Sequence, residues 1–219
     1  QEDIGTSTNV CHFLVDINKK FEQQQHQNQR WENIEDIIHW VWYATSSLAL
    51  HRSNRHRLMD NGIGETMVNI LKRSSTDSEK TCQWVCSTLA KIAEDDVMGS
   101  RLGNIGISRG IVVCSRRFTG NSWICACLCK AVGFMAGNTD IRIWLGAAGV
   151  CESIVSMLQR HLGSRYVAEQ ALWAISNLVV NHVGNLTKMG QSGACKLIPR
   201  VVLKYSGKSV FLSEWGCKA

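Results

Sequence analysis

The chain has 219 residues, of which 45% are hydrophobic and 19% charged, and it contains a single proline, Pro199. This composition excludes a disordered chain and leaves long helices uninterrupted. No apolar run reaches the about 18 residues of a membrane span, and the opening "QEDIGTSTNV" lacks the basic and apolar parts of a signal peptide.

The net charge of +6 is unevenly placed. Residues 1–110 carry 12 Lys and Arg against 14 Asp and Glu, whereas residues 111–219 carry 12 against 4. The basic C-terminal half would attract acidic peptide, nucleic acid or anionic membrane. Without a dense Lys/Arg cluster, a solubilised surface is the alternative reading.

In chain order, Gly5 is followed by Val10 and Phe13 at plus five and plus eight, the start of a helical apolar stripe. The polar stretch "EQQQHQNQR" (22–30) reads as a flexible insertion between two helices. Trp40 and Trp42 fall on different faces of the next helix, so at least one should reach the surface; Trp84 reads as core. "RSNRHR" (52–57) and "SRR" (115–117) are basic segments at the edges of helices.

Four glycines then recur at nearly constant spacing: Gly62, Gly106, Gly149 and Gly193. Apolar residues follow each at plus one, plus five and plus eight: Ile63, Met67 and Ile70; Ile107, Ile111 and Cys114; Val150, Ile154 and Met157; Ala194, Ile198 and Val201. That is the stripe of one buried helix face. A second apolar helix follows each, ending near "KIAED", "FMAGN" and "NLVVN". A short helix such as "NRHRLMDNG" or "NLTKMGQSG" leads to the next glycine, where glycine lets one helix stop and the next turn away. The units are therefore 1–61, divergent and carrying the insertion, then 62–105, 106–148, 149–192 and a truncated 193–219.

A period of this length with three helices per unit indicates an α-solenoid. The unit "GVCESIVSMLQRHLGSRYVAEQALWAISNLVVNHVGNLTKMGQSG" (149–193) closely resembles an armadillo repeat. The resemblance is strong over this unit, fair over 62–148 and weak over 1–61. It implies an all-α, armadillo-type right-handed superhelix of three-helix repeats, in which the third helix of each unit lines a concave groove. One such unit cannot bury its stripes alone, so stacked neighbours supply the core.

Aligning the third helices places Trp173 and Asn177 level with Lys130 and Phe134, with Ser87 and Lys91, and with Tyr43 and Ser47. These eight residues are the candidate peptide-binding positions. Asn can pair with both groups of an extended peptide bond, and Trp offers a flat wall for side-chain stems or a cation. In importin-α the family uses Trp and Asn ladders to hold a basic peptide. Here Lys91 and Lys130 would repel one, so the groove is closer in character to the β-catenin type, which takes acidic, partly apolar segments. A packing role for Trp173 and a solvated role for the two lysines are the alternatives.

The expected function is accordingly a protein-interaction scaffold binding an extended peptide segment, with polyanion or nucleic-acid binding through the basic half as the alternative. No catalytic residue, cofactor or metal is expected. The seven histidines fall in no catalytic motif, and "GNIGISRG" (103–110) places Gly106 on the repeat period, so it reads as an inter-repeat turn. The ten cysteines include no Cys-x-x-Cys pair. Cys82 and Cys86, and Cys125 and Cys129, lie four apart in apolar runs, so they read as packing residues in a reducing, cytoplasmic or nuclear, setting. The sequon Asn185-Leu186-Thr187 argues against that setting.

Overall fold

The structure, a computed structural model, describes residues 10–20, 34–73, 78–205, 214–216 and 218. Gly5 and the insertion at 22–30 lie outside the described residues. Helix α1 spans 10–20. It is followed by α2 (Ile34–Leu48), α3 (Arg52–Asp60), α4 (Ile63–Lys72), α5 (Glu79–Ala93), α6 (Asp96–Asn104) and α7 (Ile107–Arg117). Then come α8 (Ser122–Met135), α9 (Thr139–Ala147), α10 (Val150–Arg160), α11 (Arg165–Val179), α12 (Val183–Gln191) and α13 (Ala194–Tyr205). No strand occurs among the described residues, and among them no single helix is long and apolar enough to cross a membrane.

The four repeat glycines set the period. Gly62, Gly106, Gly149 and Gly193 adopt φ of 91°, 80°, 92° and 94°, and the other positive φ in the described chain is at Asn181. A side chain at these positions would meet its own backbone, so glycine is the residue that fits. Each glycine N–H donates to the carbonyl three residues back, on Met59, Gly103, Gly146 and Gly190. Each repeat glycine thus closes one short helix and opens the next, as its recurrence predicts.

Polar caps start six of the other helices. Ser78, Asn121 and Ser164 accept from the backbone N–H groups of Thr81, Ile124 and Val167, opening α5, α8 and α11. Asp95, Asn138 and His182 cap α6, α9 and α12 in the same way. The chain therefore repeats as a second helix, a third helix and a short first helix.

Like helices stack on like. The third helices run in the sequence α2, α5, α8, α11, each against its neighbour, and the second helices α4, α7, α10, α13 form a parallel layer. The predicted stripes are buried between them, apart from Ile198, which is partly buried. The first unit departs from its expected register. Val10 and Phe13 are exposed, while Cys11, Leu14 and Val15 are buried. The stripe in α1 is one residue later than Gly5 implies. Glycine at position 5 does not share the period of the other four.

Trp42 is fully buried and Trp40 is 63% exposed, the division expected of their two faces. Cys11, Cys82, Cys86, Cys114, Cys125, Cys127, Cys129 and Cys151 are buried thiols, and Cys195 is an exposed one. Burial pushes the Cys125 and Cys127 thiols up to about 12 and Cys151 to about 11. They pack as neutral, small apolar groups. Asn185 of the sequon is 1% exposed, and its amide donates to the carbonyls of Arg142 and Leu178. In the folded chain it is a packing residue with no surface to offer a glycan.

Asp95 joins two units. Its carboxylate receives Arg52 Nε at 2.8 Å and lies 3.3 Å from His56 Nε2, besides capping α6. Burial alone would raise its pKa. The hydrogen bonds from Arg52, the Met98 N–H and His56 outweigh that and hold it at about 2. A carboxylate depressed in the folded state stabilises it above the unfolded value and loses that contribution as pH falls through the folded one. Stability should therefore drop by on the order of 2 kcal/mol below pH ~4, somewhat less because Arg52 is exposed. Asp95→Asn should flatten this acid limb; urea midpoints of both proteins between pH ~5 and ~2 measure it.

Candidate groove on the third-helix layer

The caps fix the register of the ladder. Ser87, Lys130 and Trp173 each stand nine residues after their own N-cap, on Ser78, Asn121 and Ser164. The alignment made on sequence is the alignment of the helices. Their surroundings, however, differ from rung to rung.

On α11, Trp173 is half-buried. Its ring meets Phe134 edge-on at 4.6 Å and Trp215 at 6.5 Å. It lies so close over Gly133 that a Cβ there would fall 2.5 Å from the indole. Asn177 Nδ2 donates to the Gly133 carbonyl at 2.9 Å. One turn of α11 thus clasps α8 with both side chains. Trp173 presents an edge to the surface while its opposite side seals the helix contact. Both residues therefore contribute to packing, in line with the alternative reading of Trp173, because Gly133 leaves a notch that draws the indole in.

On α8 and α5 the lysines are turned inward. Lys130 Nζ sits 2.6 Å from Glu94 Oε1, and Glu94 Oε2 also receives Arg55 at 2.7 Å. Lys91 Nζ donates to the carbonyl and hydroxyl of Ser46 at 2.9 and 2.8 Å. Burial lowers the Lys91 pKa. Ser87 is buried, with its hydroxyl 3.0 Å from that of Ser46. Ser87 is therefore a contact between α2 and α5, not a groove position. The two lysines are bound to groups of neighbouring units, which removes the physical basis for expecting them to select an acidic partner. Their tips find carbonyl, hydroxyl and carboxylate oxygens across the helix contact, partners that belong to other repeats.

On α2, Tyr43 is exposed and meets Trp84 at 4.7 Å and Trp40 at 5.7 Å, both edge-on. Trp84, expected in the core, is only partly buried and completes this cluster. Ser47 is exposed and its hydroxyl bonds back to the Tyr43 carbonyl. The layer also exposes Trp123 and Tyr166, at 47% and 45%, near the starts of α8 and α11. Neither was among the expected sites. Their signal was an aromatic residue two after the N-cap in successive units. Phe134 also borders an open cleft of roughly 400 Å³ with Asp96, Ser100 and Asn138.

The charge of this layer is balanced. Helices α2, α5, α8 and α11 carry four Lys or Arg and four Asp or Glu. Their exposed side chains include four aromatic rings, Trp40, Tyr43, Trp123 and Tyr166. Among the described residues no three His, Cys, Asp or Glu side chains are grouped to hold a metal ion.

No protein-family model and no curated protein matches this sequence. Solved structures do match. A designed armadillo repeat protein in complex with the peptide (KR)4 aligns with a TM-score of 0.72 at 18% identity, covering 94% of this chain and 78% of that one. Another designed armadillo repeat protein aligns with a TM-score of 0.71 at 16% identity over 100% of this chain and 93% of its own. A third, from computationally designed armadillo repeat proteins for modular peptide recognition, gives 0.72 at 17%, covering 94% and 79%. With the glycine-punctuated three-helix unit and the layered stacking, these alignments show that the chain folds as an all-α armadillo-type repeat solenoid.

Proposed function

We propose that the chain is a protein-interaction scaffold that binds an extended segment of a partner along α2, α5, α8 and α11. The observation that carries this reading is the open aromatic surface of a charge-balanced layer built from four successive units. In the armadillo fold this layer lines the concave side. Two of the similar designed proteins are described with peptides: one in complex with the basic peptide (KR)4, the other designed for modular peptide recognition. Here, among the described residues, the layer's charges are balanced rather than acidic, and the groove lysines are internally bound. The partner segment is therefore read as extended and apolar or aromatic, its side chains lying against Tyr43, Trp84, Tyr166 and the open edge of Trp173. Aromatic contacts of this kind dominate interface energetics. Remaining hydrogen-bonding capacity on Asn177 would hold the peptide backbone.

The test uses a peptide selected from a displayed random library and titrated calorimetrically. Tyr43→Ala and Tyr166→Ala remove exposed rings, so each should weaken binding by roughly tenfold, about 1.4 kcal/mol, with little change in the unfolding midpoint. Unchanged affinity in both variants would place the contact surface elsewhere. Trp173→Ala is less discriminating, because it also opens the contact between α8 and α11.

A further inference from the structure

The positive charge of the molecule resides on its other layer. Helices α4, α7, α10 and α13 carry eight Lys or Arg and two acidic residues, Glu65 and Glu152. All eight basic side chains are exposed. Four of them, Lys72, Arg116, Arg160 and Lys204, recur at a constant spacing of 44, one in the last turn of each second helix. A cation there is favoured by the helix dipole in any protein. Arg109, Lys196 and Arg200 lie away from the last turn, so the dipole does not account for them. Among the described residues none of Lys72, Arg109, Arg116, Arg160, Lys196 and Arg200 forms an ion pair.

We propose that this second-helix face binds the phosphate backbone of duplex nucleic acid. Three observations select that occupant. The charges form a row, one per unit, and helices packed at roughly 8–10 Å would extend it about 30 Å, close to one duplex turn. On α4, α7, α10 and α13 the only exposed large apolar side chain is Leu203, so this part of the layer, unlike α1 with its exposed Val10 and Phe13, lacks the anchors of a protein interface and the insertion residues of a membrane surface. These four helices also carry no exposed aromatic ring, since Phe118 and Tyr205 are buried. Bases would have nothing to stack on, which favours a paired backbone over a single strand. Recognition of this kind is independent of sequence.

The experiment is fluorescence anisotropy of the full chain with a duplex of about 20 base pairs, between about 50 and 200 mM salt. With about four phosphates neutralised, the logarithm of the affinity should fall with the logarithm of salt at a slope near −4. Arg116→Glu combined with Arg160→Glu should lower affinity at least tenfold and reduce the slope by about two. Lys196→Gln with Arg200→Gln, on a different helix, should act in the same direction. Circular dichroism confirms that each variant is folded, and Tyr166→Ala should bind the duplex as the parent does. Unaltered affinity in both charge variants overturns the proposal. So does equal binding of poly-glutamate of matched charge, tighter binding of the single strand, or binding to phosphatidylserine vesicles in place of duplex. None of these outcomes bears on the peptide groove, which lies on the other layer.

Discussion

Gly146→Ala is expected to be the most damaging single methyl group in the molecule, lowering stability by about 4 kcal/mol. A Cβ built on Gly146 would overlap Asn185 Oδ1 and fall 2.6 Å from its Cγ. Asn185 cannot swing aside cheaply. It is buried, and its Nδ2 bridges the carbonyls of Arg142 and Leu178 at 3.2 and 2.9 Å. The methyl either forces α12 away from α9 or strands two buried carbonyls and an amide. Overpacking costs about 1–3 kcal/mol, and each unsatisfied buried polar group a similar amount. Urea unfolding measures the loss, with the slope checked because a solenoid can unfold in parts. A loss under about 1 kcal/mol would mean that α9 and α12 slide past each other freely, against the contact described.

Arg142→Met should cost about 3 kcal/mol. Arg142 is 8% exposed, and its guanidinium donates to Ala136 O at 2.9 Å, Val180 O at 2.6 Å and Gly137 O at 3.4 Å. Ala136 and Val180 end α8 and α11. One side chain from α9 thus satisfies the last carbonyls of two adjacent third helices, where the helix dipoles also favour a cation. Replacing a buried charge by an apolar group is often harmless when its partner is replaced as well. Here the partners are backbone carbonyls and remain. Arg142→Lys should recover only part of the loss, because an ammonium cannot span two helix ends as a planar fork does. Equal stability of the Met variant and the parent in urea would refute this role.

Arg142 also marks the limit of what the sequence conveys. Arg55 stands at the same place, four residues after an N-cap, and likewise donates to the end of a third helix, at Ala49 O. The shared position is a signal in the sequence, but position alone does not separate a helix-end clamp from a surface charge. The repeat glycines were legible because only glycine accepts their backbone angle at low cost. The ladder register was legible because serine and asparagine caps recur at close to the spacing of the apolar stripes. What the sequence could not show is where long side chains end. Lys91 and Lys130 occupy surface positions on their helices, yet their tips reach oxygens of other units. Ser87 occupies a ladder position but is covered by Ser46. The indole of Trp173 is drawn inward by a glycine, Gly133, forty residues earlier. In α1 a glycine outside the period shifted the expected stripe by one residue.

The central claim is that a partner lies along the third-helix layer. Photo-crosslinking tests it most directly, with a library-selected peptide carrying a benzophenone side chain at its centre and the attachment sites mapped by mass spectrometry. The account predicts adducts on α2, α5, α8 and α11, concentrated near Tyr43, Phe134, Tyr166 and Asn177. Adducts confined to α4, α7, α10 and α13, or to the short first helices, would contradict it.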